Sequence, residues 1–416
     1  MTASVAETPM AAPPSRSRAI GVALGSLLLL VLPALATDRY LETATRGLIA
    51  SLFALAFNLL WRHCRLLSFG HAAYFGAGMF ATIHAMRAAE AGSLDLPLPL
   101  MPLMGLLAGA VLGLVCGALA TIRTGTYFAM ITLAISELVH SFGPQFGSLF
   151  GGESGLSAMR MPWAGFAFGD ARQVYVLVLA WALAGAAALW LFGMTPLGRT
   201  AFAVGENETR LRFLGMRTHA VKTATFCASA AASGLAGALL AVANENVDYS
   251  IFGGGASAAP VMHTFIGGAG TFLGPVLGAV LLTGFGSIVG QATRLWLLYQ
   301  GIFFVLVVML APGGLAGLVA AGLRRSADGQ AAKALRATAL VLAGALLVTC
   351  AVVFAGETLS EVLSDAYSAA RATTGMRFPP VERLGLAYSP LSLPLWAAAA
   401  AAFLGGVLLL RRAMRP

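Results

Sequence analysis

The chain has 416 residues, of which 58% are apolar and 10% charged. A soluble globular domain carries about 25% charged residues and a disordered chain needs the opposite bias, so composition excludes both and leaves a polytopic membrane protein. The net charge of +9 fits either nucleic-acid binding or basic residues that set membrane topology, and the positions of the charges decide between the two.

A crossing takes roughly 20 mostly apolar residues, so the length allows about ten spans plus loops. In chain order, residues 1–18 form an Ala/Pro/Ser-rich tail in which Arg16 and Arg18 precede the first apolar run. Leu35-Ala36-Thr37 is a poor cleavage site, so residues 19–36 read as an uncleaved span and not as a secretory signal. Further spans are expected at 46–61, 67–86, 100–120, 125–142, 174–194, 223–243, 256–269, 271–290 and 294–311, and two more at 338–355 and 393–410. The expected fold is an all-α membrane bundle of about ten core spans plus two C-terminal spans. The segment at 256–269 is short and interrupted by glycine, and 49 glycines in all suit helices that pack on small residues.

Cys64, Cys116, Cys227 and Cys350 are scattered without a C-x-x-C, so neither a disulfide framework nor a zinc site is expected; they read as small packing residues. With the tail placed inside, Arg62–Arg65, Arg123, the 195–222 loop, a linker with Arg324, Arg325, Lys333 and Arg336, and a tail with Arg411, Arg412 and Arg415 all fall inside. Acidic residues such as Asp38, Glu42, Glu90, Asp95, Glu153, Glu245 and Glu357 fall outside, although Arg371, Arg377 and Arg383 do so too. The basic bias therefore predicts both termini in the cytoplasm, and nucleic acid is not needed to explain it. This count requires the short 256–269 segment to cross. The chain divides into a cytoplasmic tail (1–18), a dense membrane core (19–322), a cytoplasmic linker (323–337) and an extension (338–416) whose outside segment has room for an amphipathic helix at 359–371.

The longest inside loop of the core, TPLGRTAFAVGENETRLRFLGMRTHAVK (195–222), holds five Arg/Lys against two Glu. Pro196 and Gly198 set a turn, and Phe202, Phe213, Leu214 and Met216 alternate with charge. A short amphipathic helix stopped near Gly215 is predicted, either as a docking knob for a cytosolic partner or as a helix lying in the lipid interface. At this loop the sequence resembles the permeases of branched-chain amino-acid ABC importers, through P-L-G-R at 196–199, E-N-E at 206–208 and Leu214-Gly215. LSFGHAAYFGAGMF (67–80), GTYFAMITLAISE (125–137), GGAGTFLGPVLGA (267–279) and APGGLAGL (311–318) resemble further elements of that family in the same order. The chain departs from it at Gly205, where relatives usually carry a basic residue, and near Arg210 and Leu211, where they carry small ones.

The resemblance implies half of a transmembrane pathway at a bacterial inner membrane. It also implies a second, homologous permease subunit, two cytosolic ABC ATPase subunits, a periplasmic solute-binding protein and a surrounding lipid bilayer. Contact with the ATPase would fall to Arg199, Glu206, Asn207, Glu208 and Gly215, and the pathway to Ser68, Gly70, His71, Tyr127, Glu137, Gly267, Gly268 and Gly270. No cofactor is expected on this chain: it has no G-x-x-x-x-G-K-[ST], and Lys222 and Lys333 follow no glycine, so ATP would be hydrolysed by partner subunits. Glycines 70, 76, 78, 267, 268, 270 and 274 either break helices near the midplane or pack helices closely. His71 is an intramembrane histidine, functional or simply hydrogen-bonded in the core. Glu137 and His140 share a helix face.

An ion-coupled secondary transporter is the alternative. It calls for mid-span charges and an internal repeat, and neither is evident. A hydrolase reading of Gly152-Glu153-Ser154-Gly155, with His263 as its nearest base, has its serine in an outside loop, and H-E-x-x-H does not occur.

Overall fold

The computed structural model describes residues 29–34, 36–311, 313–318, 331–374, 376, 378–383 and 386–413. The tail 1–18, most of the predicted first span and linker residues 323–330 lie outside them. The helices are α1 (Asp38–Cys64), α2 (His71–Glu90), α3 (Pro102–Ala120), α4 (Thr126–Phe142), α5 (Ala171–Met194), α6 (Pro196–Phe213) and α7 (Thr218–Asn244). They continue with α8 (Gly254–Gly267), α9 (Gly274–Ala292), α10 (Trp296–Leu310), α11 (Ala331–Val362), α12 (Asp365–Thr374) and α13 (Leu393–Ala413). Two antiparallel strand pairs, Leu156–Ser157 with Asn246–Val247 and Val381–Arg383 with Leu386–Tyr388, lie in loops.

Local chemistry sets the ends. Thr37 is extended before α1, and Arg65 closes that helix in a left-handed turn at φ 54°. Pro102 opens α3, where its missing N–H costs nothing. Asp170 caps α5 by accepting from Arg172 N at 3.0 Å. Among the described residues six stretches are long and apolar enough to cross a bilayer: Asp38–Cys64, Leu98–Ala120, Ala171–Met194, Thr218–Asn244, Gly274–Ala292 and Trp296–Leu318. Counting the bent pair Leu346–Val362 with Tyr367–Thr373 as one span brings the number to seven. The all-α bundle is as expected, and this number is lower than the expected spans for identifiable reasons. Helix α2 carries His84, Arg87 and Glu90, α4 has 17 residues, and α8 has 14, about 21 Å at 1.5 Å per residue.

Helix α7 is the central post. Its small-residue face lets neighbours approach to backbone contact: a methyl at Gly234 would collide with the Gly105 carbonyl of α3, and one at Gly78 of α2 would collide with the Gly234 carbonyl. Around these contacts Leu52 and Phe53 of α1, Met79 and Ile83 of α2, and Leu235 and Leu239 of α7 form the main core. Residues 65–70 are not helical. This stretch runs back between helices, where Phe69 N donates to Thr132 Oγ1 midway along α4 at 3.2 Å. Irregular backbone at membrane depth survives only where protein covers it, and Ser68 and Leu66 are buried accordingly. Helix α2 therefore starts at His71, inside the bundle, and not at 67.

The ends of α1, α3 and α5 meet the 195–222 segment and the start of α7 at one end of the bundle. The His63 ring packs edge-on against Phe192 and Phe202, and Thr121 Oγ1 bonds His219 and Thr223 at 3.1 and 2.9 Å. At the opposite end, Leu156 pairs with Val247 and Arg160 Nε lies 3.1 Å from Glu245 Oε1. Helix α8 begins at Gly254 beside the Glu137 carboxylate and ends where Phe265 meets Trp61 of α1, so it runs between the two ends. In the extension, α11 and α13 pack with Phe354 against Trp396 at 5.6 Å, and Glu357 bonds Thr293 and Tyr299 of the core. The amphipathic helix expected at 359–371 is α12, displaced to Asp365–Thr374 because α11 continues through Leu359 to Val362.

Candidate functional site

The 195–222 loop is built by capping chemistry. Thr195 Oγ1 accepts from Gly198 N at 3.1 Å, with Pro196 at the first helical position. Asn207 then leaves the helical region (φ −155°, ψ 90°) and splits α6 in two. Its Oδ1 accepts from Arg210 N at 2.9 Å, restarting the helix as an N-cap. The second piece closes on Gly215 at φ 79°. Met216 N donates to Leu211 O at 3.1 Å and Gly215 N to Arg212 O at 3.0 Å, a Schellman turn whose left-handed position favours glycine.

The two pieces are anchored to different helices. The first rests on the end of α1, where Gly205 lies so close to the His63 carbonyl that a side chain would collide with it. The second is tied to α7. Glu208 Oε1 accepts from Arg212 Nη2 at 2.5 Å, Lys222 Nζ at 2.9 Å and Thr218 Oγ1 at 3.0 Å. Lys222 is 1% exposed. Burial pushes the Glu208 carboxyl up, but the bonds from Lys222, Arg212 and Thr218 outweigh it and hold it below the ordinary carboxylate value.

Of the residues implied for ATPase contact, Arg199, Glu206, Asn207 and Gly215 are exposed, while Glu208 faces α7. The tip exposes Phe213 (88%) and Leu214 (70%) among the exposed Arg210, Arg212 and Arg217. Sequence reading passed over Lys222 as a partner. The signal was a lone lysine in the first turns of a span preceded by a carboxylate in its own loop.

The pathway candidates separate into groups. Ser68 and His71 are buried, and Gly70 abuts the Thr132 carbonyl. Ser229 Oγ donates to Ala56 O at 2.6 Å and lies 2.8 Å from His71 Nε2, so Nε2 carries the proton and Nδ1 is a bare acceptor. That Nδ1 has no hydrogen-bond partner among the described residues. Gly267, Gly268 and Gly270 form the α8–α9 turn, in which Gly268 takes φ 116° and Thr271 Oγ1 accepts from Gly274 N at 3.0 Å. Tyr127 (72%) and Met130 (63%) are exposed on one face of α4. Glu137 shares that face, and its Oε2 lies 3.9 Å from His140 Nδ1. The structure thus brings Ser68, Gly70 and His71 together beside α4 and leaves Tyr127 and Glu137 on the outward face of that helix. Among the described residues no cluster of His, Cys, Asp and Glu could hold a metal ion.

A family model described as branched-chain amino acid transport system / permease component matches residues 39–312. The chain is 25% identical over 298 residues to the high-affinity branched-chain amino acid transport system permease protein LivM of Escherichia coli, covering 66% of this chain and 69% of that protein. LivM of Salmonella typhimurium is 26% identical over the same shares. The autoinducer 2 import system permease protein LsrC of Yersinia pseudotuberculosis is 35% identical over 104 residues, 24% of this chain and 30% of that protein. No solved structure matches the chain. With residues 39–312, most of its membrane core, matched by that model, the chain belongs to the branched-chain amino acid transport system permease family.

Proposed function

We propose that this chain forms half of the translocation pathway of an ATP-driven importer at a bacterial inner membrane, with both termini in the cytoplasm. A second, homologous permease supplies the other half, two cytosolic ABC ATPases supply the energy, and a periplasmic solute-binding protein delivers the cargo. The cargo is a branched-chain amino acid or a related small polar solute such as an amide or urea. The observation that carries the reading is the 195–222 loop, clamped at its base and bearing exposed Phe213 and Leu214 at its tip. Two large apolar side chains ringed by arginines match a partner pocket with an apolar floor and an acidic rim.

For the pathway, the reading is supported by α4. Its exposed Tyr127 and Met130, with Glu137 and His140 toward the end of the same helix, suit a face that meets the second permease or a water-filled path. Affinity purification of the intact complex, followed by ligand screening of its binding protein, tests partners and cargo together. The expected result is co-purification of an ABC ATPase and a second permease; recovery of this chain alone under conditions that preserve its fold contradicts the reading.

A further inference from the structure

The exposed tip of the 195–222 loop is mechanically part of α7. Asn207 interrupts α6, so the piece before it follows α5 and α1, and the piece after it follows whatever holds Glu208. What holds Glu208 is α7, through Thr218 at 3.0 Å and Lys222 at 2.9 Å. Arg212 Nε adds a bond to the same Thr218 hydroxyl at 3.2 Å. Lys222 is buried, and a buried ammonium does not release its carboxylate during a motion unless another anion replaces it.

Helix α7, whose first turns carry this joint, is 27 residues long, about 40 Å and enough to traverse the membrane. Backbone contacts at Gly234 and Gly237 hold it against α3 and α2. A second charge clamp sits at its far end. Glu245, in the left-handed position that caps α7, accepts from Arg160 N at 2.8 Å and Arg160 Nη2 at 3.2 Å. Through this clamp and the Leu156–Val247 pair, the loop between α4 and α5 is fixed to the end of α7.

We propose that the Glu208–Lys222 ion pair is the strut of a rod, α7, that carries displacement of the loop tip across the membrane to the 156–170 loop. Glu208 and Lys222 are positioning residues: they transmit the ATPase's motion and do not form its binding surface. This rests on the reading of the 195–222 loop as the ATPase contact.

The test uses the purified complex in vesicles. An Asn246→Cys probe, in a Cys350→Ser background, is labelled with a membrane-impermeant maleimide, both nucleotide-free and with ATP trapped by vanadate. In the otherwise wild-type complex the labelling rate should change about tenfold, a usual size for coupling between linked sites. The charge-free Glu208→Gln/Lys222→Met pair, chosen because losing both charges leaves no orphaned ion, should retain the ATPase and its hydrolysis but lose the change in labelling. The swapped pair, Glu208→Lys/Lys222→Glu, should recover it. A wild-type response in the charge-free pair, or no response in the wild-type complex, overturns the strut. Failure of any ABC ATPase to co-purify with the wild-type chain overturns the underlying reading instead, and is visible before labelling begins.

Discussion

Lys222 lies 1% exposed in the first turns of α7, with the Glu208 carboxylate 2.9 Å away. Removing one partner of such a pair leaves a desolvated charge, so Glu208→Ala should destabilise the protein by about 3 kcal/mol or more. Thermal unfolding in detergent should show the loss, and adding Lys222→Met should return most of it. The pair also sets a pH dependence. The Glu208 carboxyl is held below its ordinary value, so its contribution is complete above the unfolded carboxylate range of about 4.3 and is lost as pH falls through the lower folded value. Proteolytic cutting at Arg210 and Arg212 should therefore rise only in that acidic window, and Glu208→Gln should show the raised cutting at neutral pH as well. Phe213, 88% exposed, makes the opposite prediction: Phe213→Ala should leave the unfolding temperature unchanged and weaken ATPase co-purification about 30-fold, as loss of a central anchor does. The sequence marked Glu206, Asn207 and Glu208 together as one contact patch, but the direction of each depends on the break at Asn207, which an E-N-E string does not announce. Glycine at 205 was legible as a departure, but its neighbour in the fold, the His63 carbonyl, belongs to a residue 142 positions earlier in the chain.

 Chain separation hides such a contact, and only the packing of α6 on the end of α1 reveals it.

Among elements, the decisive packing is that of α7 against α3 and α2, where helix backbones touch through Gly234, Gly105 and Gly78. Overfilling such a contact forces backbones apart at a cost of typically 1–3 kcal/mol, roughly. Gly234→Leu should therefore lower the detergent unfolding temperature more than Gly47→Leu, because the space beside Gly47 is open. Equal shifts in the two variants would contradict this packing. Glycine abundance pointed to close helix contacts, and the hydropathy runs fell on the long apolar helices, although α1 begins at Asp38 where 46 was expected and α11 covers Ala331–Val362 where 338–355 was expected. What they could not locate were the interruptions. Residues 65–70 carry Leu66, Leu67 and Phe69, yet they stay non-helical, and Phe69 N bonds Thr132 Oγ1 on a helix distant in sequence. The α8–α9 turn was more legible, since Gly268 at φ 116° needs a residue without a side chain and the run of glycines supplied one.

For the whole molecule, the family match ends at residue 312; beyond it α11 packs on α13 through Phe354 and Trp396 and meets the core through Glu357, Thr293 and Tyr299. A chain ending at residue 322 is expected to fold and to retain its ATPase and its partner permease, with the loss confined to contacts around α10. Aggregation of that shortened chain, measured by size-exclusion chromatography, would make the extension part of the core. The class of the fold was legible from composition alone, and the family from short motifs in order; the docking of the extension was not, because one buried carboxylate among many outside acids carries no sequence mark. The central claim, that this permease moves its solute on energy from ATP, is tested most directly in proteoliposomes holding the purified complex, with the solute recovered from its binding protein. Uptake that requires ATP on the ATPase side and persists when a protonophore collapses the proton gradient is the predicted result. Uptake that proceeds without ATP and stops with the protonophore would contradict it.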